Sequence, residues 1–260
     1  MSYQNIKTSQ DGAAFIITFN RPERRNAISV ATMQDLMAAA READADPAVR
    51  GLIVTGGDEY FSAGADLNDA LAIEGAADGL TYFKRWHTLC DTFENLSKPV
   101  IAAVEGFCMT GGCEFALACD LRVAAEGSSF AITSSKIGTV AGAGGTQRLA
   151  RLVGPANALE MLFHANPIDH REAYRIGLVN RITPKGGAVA EAKAMIRVYE
   201  QRAPLSLAFV KRVVHRGLQM DLTSALEFEA FLVATVYGTA DRKEGISAFL
   251  EKRDAKFAGR

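Results

Sequence analysis

The chain has 260 residues, enough for one large domain or a domain with an appendage, and 48% of it is apolar, which supports a substantial core. A formal net charge of -1 excludes a broad basic field for nucleic acid or an anionic membrane surface, so local basic residues must do any anion binding. Cys90, Cys108, Cys113 and Cys119 form no CxxC pair, and His87, His164, His170 and His215 follow no metal-ligand spacing; buried reduced thiols are expected, with no disulfide framework and no metal.

The N-terminus, MSYQNIKTSQDG, lacks the charged and apolar regions of a secretory signal, and no stretch approaches the ~20 apolar residues of a membrane span, so a cytoplasmic protein is expected. Ala13 to Asn20 reads as a strand between two turns. After the loop RPERRNAIS, Ser29 or Thr32 caps a helix with Met33, Leu36, Met37 and Ala40 at helical spacing. Val49 to Thr55 is a second strand, and strand, helix, strand is the crossover unit of an α/β sheet covered by helices. The small-residue loop Tyr60 to Asp69 leaves that strand where ligands sit in such folds.

Leu80 to Leu96 is predicted helical, its stripe of Tyr82, Phe83, Trp86, Leu89, Cys90 and Phe93 packing mainly into the core. Pro99 to Val104 is a buried strand, and Asp120 to Ala124 begins the next. Between them, EGFCMTGGCEFALACD runs from Glu105 to Asp120: a tight turn through Gly111 and Gly112, then an apolar helix bearing Glu114 in its first turn. Glycines let the backbone approach a ligand closely, and free N–H groups at a helix start favour developing negative charge. The turn Gly142 to Arg148 matches neither GxxxxGK[ST] nor GxGxxG, which argues against a nucleotide-phosphate site. Asp169 to Glu172 reads as a helix start with reciprocal capping. Beyond Pro184 three or four amphipathic helices fit, over 188–201, 205–217, 223–236 and 242–256, the last opened by Asp241 with Glu244 three residues on. A mixed body to about residue 195 is thus followed by an all-helical appendage whose stripe of Leu226, Phe231, Leu232 and Val236 suits packing on another subunit.

In order along the chain, NRPERRNAIS, FSAGADL, EGFCMTGGCEFALACDLRVA, IGTVAGAGGTQRLARLVG, EAYRIGLVNRI and DRKEGISAFLEKR resemble the enoyl-CoA hydratase/isomerase family, the crotonases. That resemblance implies an α/β fold, a spiral of repeated ββα units over 1–195 carrying an acyl-CoA site, with a C-terminal α-helical trimerisation region over 196–260. It implies an acyl-CoA substrate, no tightly bound cofactor beyond the CoA of the substrate, and a homotrimer or dimer of trimers. The backbone N–H groups of Ala65 and Gly111 match the oxyanion hole for the thioester oxygen. Arg24, Arg25, Ala63 and Asp66 match CoA-binding positions, and Phe249 and Lys252 match residues that reach the CoA of a neighbouring subunit.

Glu114 matches the first of two catalytic carboxylates that hold one water between them. Alignment places the second at Ser134, and the segment from Gly127 to Leu159 contains no Asp or Glu in any register. Thr110 stands where the family has a first glycine, and Ala141 where it commonly has proline. A serine hydroxyl can hold water but is a poor proton donor to carbon. Three readings stay open: an enoyl-CoA hydratase with Ser134 beside Glu114; an isomerase, hydrolase or decarboxylase of acyl-CoA using Glu114 as sole base; and a non-catalytic acyl-CoA binder.

Overall fold

The computed structural model describes residues 3–260. The chain opens with an antiparallel hairpin, β1 (Ile6–Asp11) and β2 (Ala14–Phe19), then a 3-10 turn over Pro22–Arg24 and helix α1 (Val30–Ala45). Strand β3 (Gly51–Thr55) is followed by α2 (Leu67–Leu71), α3 (Ala76–Glu94), β4 (Val100–Val104), β5 (Phe107–Met109), α4 (Gly111–Leu117), β6 (Leu121–Ala125) and β7 (Ser129–Ala131). After a 3-10 turn at Ser134–Ile137 come α5 (Gly145–Val153), α6 (Pro155–His164), β8 (Ile168–Asp169), α7 (His170–Arg175) and β9 (Arg181–Thr183). Four helices close the chain: α8 (Ala188–Glu200), α9 (Pro204–Gly217), α10 (Leu222–Tyr237) and α11 (Ala240–Glu251).

The strands form a six-stranded sheet in the order β1-β2-β3-β4-β6-β9, parallel from β2 onward, and a small sheet β5-β7-β8. Both faces of the large sheet are covered, which is why its central strands are unbroken apolar runs. Alternation along each strand divides the core: Phe15, Ile17, Leu52, Val54, Val100 and Ala102 face the larger cluster with α1, α3 and α4. Their neighbours Ile16, Ile53, Ile101 and Ala103 face the other way, against Ala192, Met195 and Ile196 of α8.

Local chemistry explains most boundaries. Ser29 Oγ accepts from Thr32 N and starts α1, as the sequence suggests. The stripe on α3 packs as expected: Tyr82, Trp86, Leu89, Cys90 and Phe93 are buried. The helix begins earlier, at Ala76. All four cysteines are free and buried.

Three details differ from expectation. Ile6–Asp11 forms a strand although only Ile6 is buried, because pairing with β2 supplies the order that its polar residues do not encode. Asp169 Oδ1 accepts from Glu172 N, but the Glu172 carboxylate turns to Arg175, so the return bond of the reciprocal cap is missing. Helix α11 is capped by Thr239, not Asp241; Asp241 instead accepts from Ala258 N and Gly259 N and pins the C-terminal tail. That helix ends at Glu251, where Lys252 turns left-handed with φ 57°.

The C-terminal helices are anchored at a few points. Lys211 is the one buried residue of α9, and its ammonium spends its donors on Phe93 O, Lys98 O and Asp120 Oδ2. Asp120 also accepts from Val100 N and pairs with His215. Helix α10, rich in apolar residues, buries none of them within the chain, and Leu222, Leu226, Phe231 and Tyr237 are exposed. Among the described residues no helix is long and apolar enough to cross a membrane.

Candidate active site

Three separated segments meet through backbone bonds. The loop after β3 lies between the early loop and β5: Ala63 N donates to Arg25 O, Ile28 N to Gly64 O, Asp66 N to Ile28 O, and Met109 N to Ser62 O. Asn26, in the left-handed region at φ 55°, is buried as the hub of this junction. Its amide donates to Gly56 O and accepts from Arg21 N. Ser62 Oγ donates to Asn26 O and accepts from Gly64 N. Neither Asn26 nor Ser62 stands out in the sequence; an Asn beside a turn, tolerant of positive φ, was the one signal available.

Gly64, with φ 112°, allows the closest approach, since a β-carbon there would lie 3.0 Å from Met109 O and 3.2 Å from Gly111 N. From the other side, a β-carbon on Gly111 would lie 3.0 Å from Ala65 N. The two amides thus stand beside each other, and neither N–H donates to a protein acceptor. Two neighbouring amides with no protein acceptor are the raw material of an oxyanion site. Trp86 covers the turn, its ring edge 2.8 Å from the position of a Gly111 β-carbon.

Thr110 precedes Gly111 in an unusual backbone conformation, φ 44° and ψ −115°. For a β-branched residue that is a strained position. It is held there by Thr110 N donating to Ala131 O and by a 2.7 Å contact between the hydroxyls of Thr110 and Thr133. Ser134, next in the chain, is buried and opens the 3-10 turn.

Glu114 lies in the first turn of α4, buried among apolar neighbours. Its Oε1 accepts from Gly145 N at 2.8 Å and from Ala143 N at 2.9 Å, which leaves Oε2 without a protein partner. Burial raises its pKa above the ordinary carboxylate value; the Gly145 and Ala143 amides and the Arg148 charge oppose but do not cancel the rise. The glycine-rich turn is itself tied to α3. His87 Nε2 contacts Gly142 O at 2.9 Å, and Arg148 donates to Ala143 O while its fork grips Glu94 at 2.6 and 2.8 Å. Arg148 and Glu94 thus tie the glycine turn to α3, a link the sequence did not reveal because the pair joins two helices distant in the chain.

Of the remaining expected residues, Arg24 and Arg25 are exposed at the rim of the early loop. Asp66 is already engaged: it pairs with Arg21 at 2.9 Å and caps α2 through Asn68 N. Burial would raise its pKa, but Arg21 and the Asn68 amide outweigh that and hold the carboxyl below its usual value. Phe249 and Lys252 are exposed on and just after α11, with no hydrogen bond to the site within the chain.

A family model described as enoyl-CoA hydratase/isomerase matches residues 9–260. A crotonyl-CoA hydratase from Syntrophomonas wolfei is 38% identical over 99% of both chains. A short-chain-enoyl-CoA hydratase from Clostridium acetobutylicum is 37% identical over 97% of both. Among solved structures, an enoyl-CoA hydratase from Geobacillus kaustophilus superposes with a TM-score of 0.93 at 33% identity, over 99% of each chain. Fold and sequence agree along essentially the whole length: the chain is a crotonase-fold protein and belongs to the enoyl-CoA hydratase/isomerase family.

Proposed function

We propose that this protein is an acyl-CoA enzyme that adds water across the double bond of a 2-enoyl-CoA thioester. The observation that carries the reading is the pairing of two undonated amides, Ala65 and Gly111, with a buried carboxylate that has one oxygen free. The thioester oxygen sits between the two N–H groups, where negative charge that develops as an enolate is stabilised without reorganisation. Glu114 Oε2 takes a proton from water as its oxygen bonds to Cβ, and the same proton then passes from Glu114 to Cα. The product is a 3-hydroxyacyl-CoA. A raised pKa suits a group that must accept and then return a proton.

Ser134 takes the place of a second acid and holds the water by hydrogen bonding, so Glu114 handles both proton transfers. CoA lies along the early loop, with Arg24 and Arg25 toward its phosphates and the backbone of Ala63 to Asp66 along its pantetheine arm. Phe249 and Lys252 reach the CoA of a neighbouring copy. The uncovered apolar surface of α10 supports a homotrimer or dimer of trimers built through the helical region over 196–260, on the ββα core over 1–195. Sedimentation at micromolar protein reads that state, and Phe231→Glu is expected to shift it toward monomer.

The catalytic reading is tested by following loss of the conjugated thioester absorbance with a panel of 2-enoyl-CoA substrates. Turnover that drops on the order of 10²- to 10⁴-fold in Glu114→Gln supports it; no turnover on any substrate, or turnover indifferent to Glu114, overturns it. The absence of an acid at Ser134 favours one second reading on the same site, single-base isomerisation, hydrolysis or decarboxylation of an acyl-CoA. Product mass separates the two, since hydration adds one water and isomerisation adds nothing.

A further inference from the structure

Thr110 is a threonine in a conformation that belongs to glycine. Of the other non-glycine residues with positive φ, Arg25, Ala165 and Lys252 sit in the ordinary left-handed region, with ψ between 20° and 42°. Thr110, at φ 44° and ψ −115°, does not; those angles match the first central position of a type II′ turn, which glycine dominates. A β-branched residue persists there only where its surroundings over-determine it. Every polar group of Thr110 is accordingly engaged. Its N–H donates to Ala131 O at 2.7 Å and its carbonyl accepts from Glu114 N at 2.8 Å. Its hydroxyl lies 2.7 Å from the Thr133 hydroxyl and accepts from Thr133 N at 3.3 Å.

What this conformation fixes is the amide that follows. The Thr110 carbonyl and the Gly111 N–H share one planar peptide, so ψ of Thr110 sets the direction of both. In the held conformation the Thr110 Cβ lies 3.2 Å from the position of a Gly64 β-carbon, and the Gly111 N–H is left without a protein acceptor beside the Ala65 amide. Relaxation of Thr110 to negative φ rotates that peptide, which takes its carbonyl from Glu114 N and turns the Gly111 N–H away from Ala65. Two of the bonds that prevent this are made by Thr110 backbone groups, which almost any residue would supply. The remaining tie is a side-chain clasp from Thr133, the residue just before Ser134. Threonine is stiff at χ1, so a grip on its hydroxyl is a grip on its backbone.

Resting on the acyl-CoA reading above, we propose that Thr133 is a positioning residue for the Gly111 amide: through its bond to the Thr110 hydroxyl it holds the 110–111 peptide, against the preference of threonine, in the orientation that the thioester oxygen requires. Thr133 acts only through Thr110 and touches no reacting atom. Glycine at position 110 needs no clasp, because it adopts these angles with no β-carbon in the way. The effect of Thr133 therefore depends on which residue stands at 110.

The test is a double-mutant cycle read by steady-state kinetics on a panel of 2-enoyl-CoA thioesters. Thr133→Val keeps the shape of the side chain and removes the hydroxyl. With Thr110 in place it is expected to lower kcat about tenfold to a hundredfold with KM nearly unchanged, somewhat less than the loss of a whole oxyanion donor. Thr133→Ser, which keeps a hydroxyl, is expected to recover most of that loss. In a Thr110→Gly background the Thr133→Val step is expected to cost less than about twofold. A merely structural Thr133 gives the same loss in both backgrounds. Circular dichroism verifies the fold of each variant, and Thr133→Ala runs the same cycle should Thr133→Val fail to fold. Equal kcat in wild type and Thr133→Val, or equal losses in the two backgrounds, overturn this inference while leaving the acyl-CoA reading in place. Absence of wild-type turnover on every thioester overturns both.

Discussion

The carboxylate of Glu114 and the backbone of Gly145 occupy adjoining space so closely that no side chain fits between them. The Gly145 N–H donates to Glu114 Oε1 at 2.8 Å, and a β-carbon on Gly145 would lie 2.7 Å from Glu114 Cγ. Gly145→Ala must therefore push the carboxylate away or open the turn. A displacement near 1 Å at a reacting group costs roughly 10²-fold in rate. The expected outcome is a kcat reduced by about that factor with a smaller change in KM, measured by steady-state kinetics on a variant whose circular dichroism matches wild type.

The raised pKa of Glu114 fixes a pH dependence. On the proposed mechanism activity needs the ionised carboxylate, so the acid limb of kcat/KM is expected at a pH above the ordinary value of 4.5. For stability the sign is opposite to that of a salt-bridged acid. The folded state holds the proton to higher pH than the unfolded chain, so this group's contribution is largest below 4.5 and is lost as pH rises through the elevated folded value. Glu114→Gln abolishes that loss. Its melting temperature relative to wild type is expected to climb as pH rises above 4.5, as differential scanning fluorimetry over a pH series can measure.

Ser134→Glu restores a carboxylate at the position where the family resemblance expects one. If the missing acid limits the rate, the variant hydrates 2-enoyl-CoA faster than wild type. Ser134 is buried, so the added charge also costs stability, and the gain should appear in kcat alongside a lower melting temperature. Both are read from one preparation.

Asp120 ties the helical region to the sheet by accepting from Lys211, His215 and Val100 N. Removing one partner of a buried pair leaves the other charge uncompensated. Asp120→Ala is expected to cost about 3 kcal/mol in urea unfolding, since breaking such pairs typically costs several kcal/mol. Arg171→Ala, an exposed change, serves as the control.

What the sequence made legible follows from how local each signal is. Apolar runs and the Ser29 cap located the main strands and α1, and Gly111-Gly112 followed by Glu114 marked the helix start on which the proposed chemistry rests. Gly64 and Gly145 were visible as glycines, but their reason was not: each makes room for a group far away in the chain, Gly64 for the Gly111 amide and Gly145 for the Glu114 carboxylate. The Arg148–Glu94 clamp was equally invisible, because it depends on two helices crossing. Capping pairs at Asp169 and Asp241 matched a pattern whose side chains found stronger partners, Arg175 for Glu172 and the C-terminal amides for Asp241.

The central claim is that Glu114 works as the base beside the Ala65 and Gly111 amides. It is tested most directly by the initial rate of absorbance loss from a 2-enoyl-CoA thioester, compared between wild type and Glu114→Gln at equal binding saturation. The account predicts measurable hydration by wild type, a 3-hydroxyacyl-CoA product one water heavier, and a rate at least about 10²-fold lower in the variant. Equal rates in the two proteins would contradict it.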